Sequence, residues 1–233
     1  RGILTNGPTR LEGKLGQALS FDGVNDYVAI ANRSSFNSNT RGSVCVWVNL
    51  KSFVGSPNPF SLVDNSTNSN YAYMQVNTDG TVRFAVVAGN ANKWAKDSVA
   101  SIVLNTWNFL CWTQNGVDSV EYINGVSVPY TVAASNDLTA WFGTLTASNE
   151  ANIGRFNRLA GAGDYVNGTI DDVRIYNRAL SPDEIKRLYK IGGTLTLNKT
   201  VTNNSLASGL VGHWTFDGPD ISGTTASDKS GNN

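Results

Sequence analysis

The sequence predicts an all-β sandwich or barrel, and three observations carry that prediction. Apolar and polar residues alternate with period two in eight short segments at close spacing. Among them lie Asp79-Gly80, Asn115-Gly116, Asn124-Gly125 and Asn167-Gly168, dipeptides that take the positive-φ geometry of hairpin turns. The composition agrees: 23 glycines, many Asn and β-branched residues and only 15% charged side chains suit short strands joined by tight turns. A length of 233 residues is ordinary for one large β sandwich.

In chain order the predicted strands are Gln17–Asp22, Tyr27–Ile30, Ser43–Val48, Tyr71–Val76, Thr81–Val87, Trp107–Thr113, Ser119–Ile123 and Thr169–Tyr176. One helix is expected over about 181–190. Ser181 supplies an N-cap hydroxyl, Pro182 the first helical position and Glu184 the third residue after the cap, while Ile185, Leu188 and Tyr189 share a face. Gly192-Gly193 stop it. Residues 192–208 carry no core pattern and read as a linker or an edge strand. A new apolar segment runs from Gly209 through Leu210, Val211, His213, Trp214 and Phe216 to Asp217.

Charge and rare residues exclude several function classes. Lys+Arg and Asp+Glu number 18 each, so no cationic field collects nucleic acid or an acidic membrane surface. One His, one Met and two Cys cannot build a His-rich metal site, a four-cysteine zinc site or a disulfide framework. No apolar stretch is long enough for membrane insertion. The chain starts at Arg1 with no charged-then-apolar leader, and reads as a mature or excised piece. Cysteines inside apolar strand patterns fit an oxidising compartment, and hence a secreted or cell-surface protein. The Asn-x-Ser/Thr triplets at Asn32, Asn65, Asn167, Asn198 and Asn203 are expected by chance in so Asn-rich a chain.

The run from Gly168 to Tyr189, reading GTIDDVRIYNRALSPDEIKRLY, resembles the closing strand and helix of the laminin G-like, concanavalin A-like jelly-roll family. Gly16–Val28, Ser43–Val48, Trp107–Thr113 and Val120–Val126 are similar to the same family in the same order, spanning residues 13 to 190. The resemblance implies a sandwich of two antiparallel sheets with one short helix. It also implies a Cys45–Cys111 disulfide, because the pentraxin branch joins cysteines at these places; two buried free thiols are the alternative. The family's usual opening strand is similar to residues 209–217, at the far end of this chain. The expected organisation is therefore a jelly roll over 1–191 lacking its first strand, a linker over 192–208, and that strand with its loop over 209–233. The chain reads as one period of a tandem array cut inside a domain. Leu210, Val211, Trp214 and Phe216 would close either their own sandwich or that of a neighbouring copy, by strand donation.

Chemistry-bearing residues are few. The laminarinase-type glycosidases of this fold use a Glu-x-Asp-x-x-Glu strand, which does not occur here, and the glutamates are Glu12, Glu121, Glu150 and Glu184 alone. Adjacent Asp171 and Asp172 are expected to point to opposite faces of a strand, and His213 has no catalytic partner beside it in sequence. The resemblance implies one structural Ca2+, with Asp171 first and Asp172, Asp22 and Asp217 as further ligands; turn hydrogen bonds and solvation are the alternative. The pentraxin acidic cluster is replaced here by Gly154-Arg-Phe-Asn-Arg158, so that ligand site is expected to be lost. A sugar platform needs aromatic rings beside planar polar groups. Trp94, Trp141 and Phe142 are the candidates for the rings, with core burial of the two tryptophans as the alternative, and Arg155, Asn157 and Asp164 for the polar groups. Trp47, Trp107 and Trp214 are expected to pack the core. The glycine-rich loop 160–164 has no Lys-Ser/Thr and no following helix, which rejects a phosphate cradle.

The reading is a non-catalytic extracellular binding or adhesion module recognising glycan or protein. The rival is a structural subunit of a surface filament, in which neighbouring copies exchange the C-terminal strand. A glycoside hydrolase is the remote alternative.

Overall fold

The computed structural model describes residues 1–31, 33–67, 69–145, 148–158, 161–191 and 204–232. Its strands in chain order begin with β1 (Gly2–Thr5), β2 (Thr9–Glu12), β3 (Gln17–Asp22), β4 (Tyr27–Ile30), β5 (Gly42–Leu50), β6 (Phe60–Val63) and β7 (Tyr71–Val76). They continue with β8 (Thr81–Ala88), β9 (Ala91–Ser101), β10 (Asn108–Gln114), β11 (Ser119–Ile123), β12 (Val126–Ser127) and β13 (Tyr130–Ser135). After these come β14 (Glu150–Ile153), β15 (Phe156–Arg158), β16 (Gly161–Gly163) and β17 (Asn167–Tyr176). The helix α1 (Pro182–Ile191) precedes β18 (Leu210–Trp214), β19 (Ile221–Ser222) and β20 (Thr225–Ala226).

Two antiparallel sheets face each other, as predicted. The larger runs β13-β9-β8-β7-β6-β14-β4-β1-β20-β19, and the smaller runs β12-β11-β10-β5-β17-β3-β2 with β18 added to β17. The alternation seen in the sequence sets which side chains lie between them. In β7, Ala72, Met74 and Val76 enter the main core while Tyr71, Tyr73 and Gln75 remain half-buried on the other face. A second cluster on the outer side of the smaller sheet packs Trp47, Phe109 and Tyr176 under Ile185 and Leu188 of α1. Half-buried Trp107 joins it. Glu184 Oε2 accepts the Ser181 N–H at 3.0 Å while Ser181 Oγ accepts that of Glu184 at 3.3 Å, the expected capping box. Cys45 and Cys111 stand opposite each other on β5 and β10 and form the disulfide, buried in this second cluster.

Two local expectations are corrected. Asn167-Gly168 is not a turn: it opens β17, and Gly168 holds a φ of 151° where a Cβ would stand 2.8 Å from Leu50 Cα. Glycine is used there because the neighbouring strand's backbone passes too close for any side chain. The segment around Trp94, where no strand was predicted, is the eleven-residue strand β9; its Lys, Asp and Ser residues hid the alternation.

The C-terminal segment packs on its own chain. Strand β18 pairs with β17 through Val173↔Trp214 and Arg174↔His213, on the same edge that β3 occupies along residues 167–170. Strand β20 pairs with β1 through Gly2↔Ala226. Val211, Trp214, Phe216 and Ala226 are buried in the main core, so the apolar face of this segment is covered within one molecule. Residues 192–203 of the expected linker, with Asn198 and Asn203, lie outside the described residues, as does Asn32.

Candidate functional site

The junction between β3 and β18 on the edge of β17 carries the aspartates expected to bind calcium. An extra residue in β17, between Asp171 (opposite Trp47) and Arg174 (opposite Cys45), makes a bulge in which Asp172 takes a φ of 47°. Asp171 Oδ2 accepts the Leu15 N–H at 2.8 Å, and its Oδ1 is buried with no hydrogen-bond partner among the described residues. Burial pushes its carboxyl up to about 8. Asp172 is buried against the Arg174 guanidinium, whose Nε lies at 2.9 Å, and the His213 imidazole, whose Nε2 lies at 2.7 Å. Its carboxyl is driven upward by burial, but Arg174 and His213 outweigh that and hold it below the usual range. Asp217 Oδ1 accepts the Gln17 N–H, and Asp22 Oδ1 accepts those of Val24 and Asn25 in its own turn. The four therefore do not form one oxygen cage. Among the described residues no three His, Cys, Asp or Glu side chains are grouped to hold a metal. Asp172 is spent on Arg174 and Asp22 on its own turn, which leaves Asp171 and Asp217 of the expected set.

Trp94, Trp141 and Phe142 do not form a surface platform. All three are at most 1% exposed. Trp94 lies on β9 and donates its indole N–H to Ala140 O at 2.9 Å, while Trp141 and Phe142 stack on each other against Trp112. Their Asn- and Ala-rich surroundings suggest loop, yet large rings supply the most apolar burial per residue and fill the space between the sheets.

Arg155 and Asn157, in contrast, meet. The hairpin of β15 and β16 folds over the outer face of the larger sheet, and Glu150 on β14 receives the Arg155 guanidinium, Asn157 Nδ2 at 2.6 Å and Asn65 Nδ2 at 3.0 Å. The Arg155 guanidinium also lies 3.4 Å from the centre of the Tyr27 ring. Asp164 follows β16 at the end of the hairpin, where its carbonyl accepts the Asn58 N–H at 2.9 Å.

Beside that polar group stand aromatic rings the sequence reading left unassigned. Tyr71, Tyr73 and Phe156 approach with ring centres 5.0 to 5.9 Å apart. Strand register places Tyr73 in a row crossing five strands: Asn152, Ser61, Tyr73, Ala85, Ala95. Small side chains flank the Tyr73 ring on both sides of β7. The next row holds Gln75, Arg83 and Asp97, with Arg83 bidentate to Asp97 at 2.8 and 2.7 Å. Both amide atoms of Asn152 and the Arg155 Nε are buried with no hydrogen-bond partner among the described residues. The signal was available: in Tyr71-Ala-Tyr-Met-Gln-Val76 the inward set is Ala, Met and Val, which leaves the tyrosines outside.

A family model described as the concanavalin A-like lectin/glucanases superfamily matches residues 22–186. The chain belongs to this superfamily. Solved structures share the superfamily sandwich. Domain 4 of AbnA, a GH43 extracellular arabinanase from Geobacillus stearothermophilus, in complex with arabinotriose, is 19% identical with TM-score 0.61, covering 81% of this chain and 87% of that one. The CBM40 of a Ruminococcus gnavus IT-sialidase, bound to α2,3-sialyllactose, is 13% identical with TM-score 0.63, covering 78% and 100%. A putative carbohydrate-binding protein from Bacteroides ovatus is 14% identical with TM-score 0.57, covering 99% and 55%. At these identities the likeness is one of fold. No curated protein sequence matches the chain. No helix among the described residues is long and apolar enough to cross a membrane.

Proposed function

We propose that this superfamily member is a secreted, non-catalytic glycan-binding module whose ligand lies on the outer face of the larger sheet. The observation that carries the reading is the placement of the half-buried Tyr73 ring between two planar polar pairs, Arg83–Asp97 and Arg155–Glu150. A sugar presents an apolar face of C–H groups to an aromatic ring and a rim of hydroxyls to planar donors and acceptors, and both are supplied here. Fold alone does not assign function; the superfamily's carbohydrate-binding members agree with the site's chemistry.

The binding reading is favoured over hydrolysis by how the carboxylates are spent. Glu184 caps α1 and Glu150 is held by Arg155, Asn157 and Asn65. Glu121 is 0% exposed, between the sheets. A retaining pair needs two carboxyls about 5–5.5 Å apart flanking an accessible bond. The test is a pull-down of the purified protein with a panel of insoluble and arrayed polysaccharides, followed by titration of the best ligand. Tyr73→Ala, with its fold checked by circular dichroism, is expected to weaken binding at least tenfold. Equal binding by the variant, or release of reducing sugar by the wild type, overturns the reading.

A further inference from the structure

A second surface, separate from the sheet face, has the chemistry of an anion-reading sugar site. At one end of the sandwich, Thr40 and Arg41 before β5, Asn115 and Gly116 between β10 and β11, and Thr139 and Thr144 before β14 line a cleft of about 540 Å³. That volume lies within the range of small-ligand pockets.

Its walls are tied together. Gly143 donates its N–H to Asn39 O at 2.7 Å, joining the loop before β5 to the turn holding Thr144. A Cβ at Gly143 would stand 2.8 Å from Ser38 O and 2.9 Å from Asn39 O, so this approach requires glycine. Fully buried Gln114 spans the other wall, donating from Nε2 to Leu138 O and accepting the Gly116 N–H on Oε1. A cleft framed this way exists before its ligand arrives, which lowers the ordering cost of binding.

The unspent groups in the lining are donors. Asn115 Oδ1 already accepts the N–H groups of Val117 and Asp118, which leaves its Nδ2 to donate. Thr144 Oγ1 accepts the Trp141 N–H, so its hydroxyl proton is available. Thr139 Oγ1 is committed to Asp137. Arg41 is exposed and, among the described residues, makes no ion pair or hydrogen bond. The described lining residues include no carboxylate and no aromatic ring. One unpaired guanidinium beside an amide and hydroxyl donors is matched by a ligand that offers a carboxylate together with hydroxyl oxygens.

We infer that this end cleft binds the carboxylate-bearing unit of an acidic saccharide, with Arg41 as the fork that reads the carboxylate. The site is independent of the sheet face, so either can fail alone.

The experiment is calorimetric titration of the full chain with a galacturonic acid trisaccharide, its neutral galactose counterpart, and sodium acetate as the bare anion. The acidic trisaccharide is expected to bind at least tenfold tighter than the neutral one and than acetate, and to weaken as salt is raised. Arg41→Ala and Arg41→Glu, at an exposed position where neither perturbs packing, should remove that preference. Equal affinity for the acidic and neutral sugars, acetate binding as tightly as the trisaccharide, or a preference that survives Arg41→Glu overturns the inference. A preference abolished by Tyr73→Ala but not by Arg41→Ala overturns it as well, by moving charge recognition to the sheet face.

Discussion

Asp217 Oδ1 accepts the backbone N–H of Gln17 at 2.7 Å, across 200 positions of sequence. Asp171 Oδ2 accepts that of Leu15 in the same hairpin turn, so the C-terminal segment and the long strand β17 hold one turn between them. This clamp sits where β3 starts and β18 finishes, at the point along the edge of β17 where one partner gives way to the other. The energy of the joint, however, lies in the rings behind it.

Trp214→Ala should cost about 3–5 kcal/mol, the range for removing a fully buried large aromatic, since Trp214 is 1% exposed in the main core. Asp217→Ala should cost only about 1 kcal/mol, because its hydrogen bond is solvent-exposed. Urea midpoints of the two variants check the order. A Trp214 variant as stable as wild type would mean that β18 does not close this sandwich in solution.

Reduction of Cys45–Cys111, or its replacement by alanines, should lower stability by about 2–5 kcal/mol. The bridge closes a loop of 66 residues, and that range follows from the chain entropy it removes from the unfolded state. Guanidine denaturation with and without reductant measures the difference. The rings of the second cluster should keep the reduced protein folded at 25 °C.

Stability should peak near pH 5. Burial pushes Glu121 up to about 7, partly countered by the nearby Lys96 ammonium, and Asp171 up to about 8. The native state therefore keeps protons that the unfolded chain has released, and stability falls as pH rises from about 4.5 through 8. At the acid end, hydrogen bonds from Arg178 hold Glu184 down at about 2, so its contribution is lost as pH falls from about 4 toward 2. Urea midpoints at pH 3, 5, 7 and 9 should show the maximum, and Glu121→Gln should flatten the decline between pH 5 and 7. A profile level from pH 5 to 9 would contradict the burial of both carboxyls.

Arg155→Lys keeps the charge and loses the planar fork. Because the guanidinium both stacks on Tyr27 and holds Glu150, glycan affinity is expected to fall about tenfold, or about 1.4 kcal/mol, while the circular dichroism spectrum is unchanged. Titration of the glycan selected in the Tyr73 experiment reads it.

The eight alternating segments, the capped helix and the aromatic inward rows were legible in the sequence because each depends on neighbours two to four residues away. The cysteine pairing was legible only through family resemblance. Strand β9 was not, since its buried face carries Trp94, Lys96 and Ser98, and Lys96 becomes tolerable there only because Asp118 and the Ser119 carbonyl, far along the chain, receive its ammonium at 2.6 and 2.8 Å. Trp94 and Trp141 looked like surface rings for the same reason: local composition reports polarity, while burial is decided by what the opposite sheet brings.

The class of fold and most of its inward and outward rows could be read from residue order, and the poverty in His, Met and Glu argues against zinc sites and the glycosidase chemistry of this fold. Tertiary structure alone decided the rest. It gathered Arg155, Asn157 and Asn65 around the Glu150 carboxylate, set Tyr73 between two ion pairs, and left Arg41 without an ion pair among the described residues at a cleft, because these contacts join strands and loops from distant parts of the chain. It also turned Asp172 toward Arg174 and His213, at a single extra residue in β17 that no period-two pattern records.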